Sequence, residues 1–186
     1  ADGANNQAIE DITIINTMPN MTVINPADAK ETEAAVLAAI DYQGPVYIRL
    51  GRAETKDIHD DSYHFEWGKA EVLRQGSDVS IFATGIMTAK ALDAAETLAK
   101  QGIQAEVINV HTIKPLDEET VIASAKKTGK VVTAEEHSII GGLGSAVAEV
   151  LARQCPTKQA FVGVQDSFGE SGSPNDLLEK YGLTTE

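Results

Sequence analysis

The chain reads as an α/β protein: a complete, doubly wound, mostly parallel five-stranded domain preceded by a partial α/β segment. Three observations predict this. Short apolar runs alternate with longer stretches of helical period. The strand-sized runs, such as "VSIFA" and "AEVINV", are nearly continuous in apolar residues, as in strands covered on both faces. Glycine and proline mark the joints between runs.

Gln7 to Thr17 carries apolar side chains at Ala8, Ile9, Ile12, Ile14 and Ile15, predicting a helix with one buried face. Asn5 or Asn6 is its expected cap, and Pro19 its stop. "MTVINP" reads as a short buried strand. "PADAKETEAAVLAAID" follows as a helix with Asp28 at its start, and Gly44-Pro45 announces the strand "GPVYIRL". From Gly51 to Glu66 the period lapses into polar residues of both charge signs, the composition of a linker. The predicted organisation is a partial segment at 1–52, a linker at 53–67 and a full domain at 68–186.

In the second domain, "AEVLRQG" and "DVSIFATG" read as strands around a turn at Gly76. "IMTAKALDAAETLAKQG" is a helix closed by Gly102. Strand "AEVINV", helix "LDEETVIASAKKTG", strand "KVVTAEE", helix "GGLGSAVAEVLARQ", strand "AFVGV" and helix "SPNDLLEKYG" complete a self-sufficient sheet. The first segment is different. Two strands and two helices in about 50 residues bury both faces of a parallel sheet poorly. It is therefore expected to be the back half of a larger domain; the plainer alternative is an appendage packed on the second domain.

Composition narrows the function classes. The chain has 186 residues, 42% of them apolar and 5% aromatic. No run approaches the roughly 18 apolar residues of a membrane span, and no basic-then-apolar leader opens the sequence. A single cysteine, Cys155, precludes an internal disulfide and fits a reducing cytosol, so a cytoplasmic location is expected. Net charge is −13, with twelve acidic and four basic side chains in residues 1–67 alone. That field repels nucleic-acid backbones, so a phosphorylated substrate would need a local positive cluster. The arginines are therefore the residues to follow.

Arg49 and Arg52 close a predicted parallel strand, where ligands of open α/β sheets bind. A guanidinium there could grip a phosphate, and a surface salt bridge is an equally good reading. Asp2-Gly3 is by itself an ordinary turn. "GGLGS" opens a helix after a strand and could cradle an anion with free amides, although close helix packing explains its glycines more simply. Glu135, Glu136 and His137 end a strand, but no second His or Cys stands at ligand spacing. A satisfied interface role suits His137 and His111 better. His59 and His64, in the linker, are expected to face solvent. Cys155 has no nucleophile setting.

The stretch "DGANNQAIEDITIINTMPNMTVINPADAKETEAAV…GPVYIRLGR" resembles the second half of the pyrimidine-binding domain of transketolase. "VSIFATG", "KPLD", "EEH" and "GGLGSAVAEVL" resemble the same family's C-terminal domain. The resemblance implies a thiamine-diphosphate enzyme with a divalent metal, Mg or Ca, that moves a two-carbon ketol unit between sugar phosphates. It implies a homodimer joined through the C-terminal domain, and an N-terminal section or subunit as partner. It assigns Asp2 to substrate hydroxyls and Arg52 to substrate phosphate. It also places Asn6 where the family has a substrate-contacting His, and Asn cannot carry a proton near neutral pH. The family's catalytic Glu, its diphosphate-binding domain and its metal-binding residues all fall outside this sequence. No catalytic residue is therefore expected within it, and no activity from it alone. Related readings are a fragment of 1-deoxyxylulose-5-phosphate synthase or of a 2-oxo-acid dehydrogenase beta subunit. A non-catalytic dimerisation module is a third.

Overall fold

Alternation of apolar and helical segments yields eight strands and six α-helices in a computed structural model that describes residues 3–186. Asp2 lies outside the described residues. In chain order these are α1 (Asp11–Asn16), β1 (Thr22–Ile24), α2 (Ala29–Ile40), β2 (Val46–Ile48), β3 (Glu71–Arg74), β4 (Val79–Ala83) and α3 (Met87–Lys100). There follow β5 (Ala105–Asn109), β6 (Thr112–Lys114), α4 (Glu118–Thr128), β7 (Lys130–Ser138), α5 (Leu143–Gln154), β8 (Lys158–Val164) and α6 (Pro174–Lys180).

The larger sheet has the order β3-β5-β4-β7-β8, parallel except for the antiparallel edge strand β3. Its apolar strands are covered on both faces. Met87, Ala91 and Ala95 of α3 join Ile81, Val107 and Leu183 in one core. Val121 of α4 and Leu143, Val147 and Leu151 of α5 join Phe82 and Ile108 in another. Each fully buried Phe or Ile side chain here contributes about 2–3 kcal/mol. The two cores on opposite faces make the domain doubly wound. β3 and β4 follow each other in sequence but do not pair, because β5 lies between them. Gly76 before β4 passes so close to the Ala105–Glu106 peptide that a side chain there would collide with backbone.

The first segment does not stand apart. β1 pairs in parallel with β2 and, on its other edge, antiparallel with β6. β6 is unmarked in the sequence: three residues between His111 and Pro115 show no period. It gives β1 neighbours on both edges, and Val23 and Ile24 are fully buried. Further bonds fasten the junction. Asn25 N donates to His111 O at 2.8 Å, Ser138 N donates to Ile9 O at 2.8 Å, and Lys114 Nζ donates to Asn16 O and Met18 O. One face of α2 is nevertheless uncovered, with Leu37 59% and Ile40 72% exposed.

Two expectations need correction. The predicted helix over Gln7–Thr17 is only α1, preceded by a 3-10 turn at Ala4–Asn6. Gln7 is extended and neither Asn5 nor Asn6 caps α1; Glu10 holds the cap position, and its carboxylate accepts from Ile9 N and not from the helix. Tertiary contacts outweigh helical propensity here, because Ile9 packs on the larger core and its carbonyl pairs with β7. His59 does not face solvent. Its side chain is 4% exposed, while His64 is exposed as expected. The segment after β2 lacks regular structure but is strapped down by aromatic contacts of Trp67 with Tyr42 and of Phe65 with His111.

Candidate functional site

The short parallel strands β1 and β2 bring two chain segments to their C-terminal ends, where open sheets bind ligands. One is the stretch Arg49–Arg52. The other is the turn Gly3–Ala8, brought alongside by Arg49. The Arg49 Nη2 donates to Ala8 O at 2.8 Å and to Glu136 O at 2.9 Å, and Nε donates to Asp11 Oδ2 at 3.1 Å. Both partners of the Asp11–Arg49 pair are largely buried, at 14% and 12% side-chain exposure. Arg49 thus forms a salt bridge, as one of its two readings had it, but a buried one and not the surface pair expected. Asp11 also accepts from Tyr47 Oη at 2.7 Å. Burial and this carboxylate push the Tyr47 hydroxyl up to about 12, so it stays a donor.

A cleft of about 340 Å³ opens at the same strand ends, lined by Asn25, Asp28, Arg49, Gly51 and Glu136 among others. Arg52 stands just beyond Gly51 and is exposed, as is Asn6 on its turn. Asp2 lies outside the described residues. The bond between Arg49 and Ala8 thus ties the strand that leads to Arg52 to the turn that carries Asn6. A larger cavity of about 580 Å³ lies along residues 58–73 and His111, and neither Asn6 nor Arg52 lines it or the smaller cleft.

Below the cleft sits a polar lock that sequence reading missed. Asp28 caps α2 through Glu31 N, as expected, and its other oxygen accepts from Ile58 N, His59 N and His59 Nδ1. Burial opposes its ionisation, yet these donors hold the carboxyl below its ordinary range. His59 Nε2 donates to Glu71 Oε2 at 2.9 Å. Burial favours neutral imidazole, but Glu71 and Asp28 outweigh it and raise the pKa to about 9. His59 is therefore a cation at neutral pH, and it bonds the first segment to β3. Glu31 accepts from Ala27 N, Tyr63 Oη and Asn109 Nδ2, and burial raises its pKa. His111 is pushed down to about 4 by burial and is neutral.

The glycine-rich turn before α5 is filled by the protein's own carboxyl group. Glu135 accepts from Leu143 N at 2.8 Å and from Gly144 N at 2.9 Å. Its carboxylate occupies the amides that a phosphate would use. Burial raises the Glu135 pKa to about 7, with the two amides pulling it back. The glycines also serve packing, since a side chain at Gly144 would strike the Phe161 ring. His137 is buried, and burial lowers its pKa; Nδ1 donates to Ser138 O. Among the described residues, no group of three or more His, Cys, Asp or Glu side chains could hold a metal ion. With the α5 amides taken by Glu135, the residues described do not fit a diphosphate with its metal, and no chemical step is assigned through one. No helix among the described residues is long and apolar enough to cross a membrane.

Residues 1–57 match the transketolase pyrimidine-binding domain, and residues 68–186 match the transketolase C-terminal domain. A 6-deoxy-6-sulfo-D-fructose transketolase subunit from Clostridium sp. (strain MSTE9) is 52% identical over 185 residues, covering 100% of this chain and 58% of that relative. One of the subunits of an apulose-4-phosphate transketolase from Phocaeicola vulgatus is 37% identical, with 99% of this chain and 59% of that relative covered. A solved structure described as a split gene transketolase, inactive beta4 tetramer, superposes with a TM-score of 0.96 at 54% identity. It is matched over 98% of this chain and 60% of that one. The chain thus spans little more than half the length of these relatives.

Proposed function

This chain belongs to the transketolase family, and from that premise we propose that it is the C-terminal section of a split transketolase. Residues 1–52 are the second half of the pyrimidine-binding domain, 53–67 a connector, and 68–186 the C-terminal domain. With an N-terminal partner subunit, thiamine diphosphate and a divalent metal, the assembly transfers a two-carbon ketol unit from a ketose to an aldose. The cofactor, when bound, supplies the carbanion chemistry; this chain's residues bind and orient sugar. Asp2 takes substrate hydroxyls, Asn6 donates and accepts hydrogen bonds without carrying a proton, and Arg52 holds the anionic end of the sugar. Within it two copies of this chain form a homodimer through the C-terminal domain, with the active site between subunits.

The observation that carries this reading is the tie from Arg49 to Ala8, which gathers the Asn6 turn and the Arg52 strand end at one edge of the small sheet. A grip on an anionic sugar terminus suits relatives named for substrates that end in sulfonate or phosphate. The test is Arg52→Ala in the assembled pair of full-length subunits. KM for a phosphorylated sugar should rise at least about tenfold, the value of a charge-assisted contact. KM for the same sugar without its phosphate should stay put. Equal effects on both sugars would remove Arg52 from the anion site.

A further inference from the structure

The C-terminal domain approaches the turn Gly3–Asn6 through the segment Phe168–Ser171. Gln7 directly follows the turn Gly3–Asn6, and its Nε2 donates to Glu170 O at 2.9 Å across the two parts of the chain. The receiving segment is itself anchored. Tyr181 Oη donates to Phe168 O at 2.9 Å, and Lys180 Nζ pairs with the Glu170 carboxylate. Tyr181 and Leu178 pack in turn on the core under the large sheet. A path of packed groups therefore runs from that core, through α6 and the segment Phe168–Glu170, to the turn.

Gly169 is shaped to this contact. A Cβ at residue 169 would fall on Gln7 Oε1, well inside van der Waals contact, and would also press on Gln7 Cδ at 3.1 Å. Its backbone is not in the left-handed region, so the missing side chain answers to the Gln7 amide and not to strain. Ser171 lies over Gly3 from the same segment, with Oγ at 3.5 Å from where a Gly3 Cβ would stand.

We propose that Gln7 is a positioning residue for substrate: its bond to Glu170, in the space left by Gly169, fixes the turn that carries Asn6. The C-terminal domain is then part of the substrate-positioning apparatus as well as a scaffold for assembly. This rests on the functional reading above, because it takes the turn as substrate-facing.

The test uses Gly169→Ala, Gln7→Ala and the double variant in the full-length subunit assembled with its N-terminal partner. Each single change should raise KM for the sugar phosphate about fivefold, the worth of one positioned hydrogen bond. The effect on kcat should stay within about twofold. The double variant should be no worse than either single one, since both remove the same contact. A merely structural role would lower Tm and the active fraction while leaving KM unmoved. Hydrogen exchange of residues 3–8 in the isolated full-length subunit should speed up in both single variants, and this readout needs no turnover. Unchanged KM, additive effects or unchanged exchange would overturn the clamp. A wild-type pair that transfers no ketol unit would overturn the functional reading instead, with exchange still deciding the clamp.

Discussion

Arg49 directs its Nε and Nη2 donors inward, to Asp11, Ala8 and Glu136, and this makes it the hub of the junction between turn, strand and larger sheet. Removing it leaves Asp11 buried without its counter-charge. Arg49→Met is expected to cost the full-length subunit about 2–3 kcal/mol in urea unfolding. His59 gives the junction a pH signature. Its folded pKa of about 9 lies above the ordinary 6.5, so protonation favours the folded form. That stabilisation is fully present below about pH 6.5 and is lost as pH rises through 9. Wild-type unfolding free energy should fall by about 2–3 kcal/mol over this window, and His59→Gln should flatten the dependence. An equal slope in the variant would assign the loss to other groups.

Capping chemistry shows what one sequence discloses about an element and what it conceals. Asp28 before α2, Asp117 before α4 and Ser173 before α6 each accept from an amide three residues on. These local signals are legible because cap and helix are neighbours in sequence. α5 is capped by Glu135, a residue on the preceding strand, and no local pattern announces that partner. β6 and the His59 lock were hidden for the same reason: pairings across large sequence distances carry no period. The five-stranded sheet and its four helices were legible because alternation and glycine joints are local. Glu135→Gln would turn an amide donor toward the α5 N–H groups and halve the acceptors there. It should cost about 1–3 kcal/mol, read by chemical unfolding, and a neutral result would show that the cap is dispensable.

At the scale of the molecule, the uncovered face of α2 meets the limited share of its relatives that the chain spans. Val36, Leu37 and Ile40 are 44%, 59% and 72% exposed on a helix whose other face, at Glu31 and Ala35, is fully buried. The proposed split-transketolase reading puts that face under preceding residues of the pyrimidine-binding domain. Ile40→Glu should then cost the full-length subunit about 2 kcal/mol, whereas a solvent-facing position would tolerate it within about 0.5 kcal/mol. The site has the same partial character. Arg49 ties the strand leading to Arg52 to the turn carrying Asn6, while the α5 turn that could have cradled a phosphate is closed by Glu135. On the proposed reading, this chain binds and orients sugar and the partner subunit completes the reactive centre.

The most direct measurement is a complementation assay of two-carbon transfer from a ketose phosphate to an aldose phosphate, with thiamine diphosphate and Mg²⁺ present. The full-length subunit carrying this chain is titrated with its N-terminal partner subunit. Transfer should be absent from either subunit alone and should rise to a plateau at equal stoichiometry. Transfer by the subunit without its partner, or none at any ratio, would contradict a split transketolase.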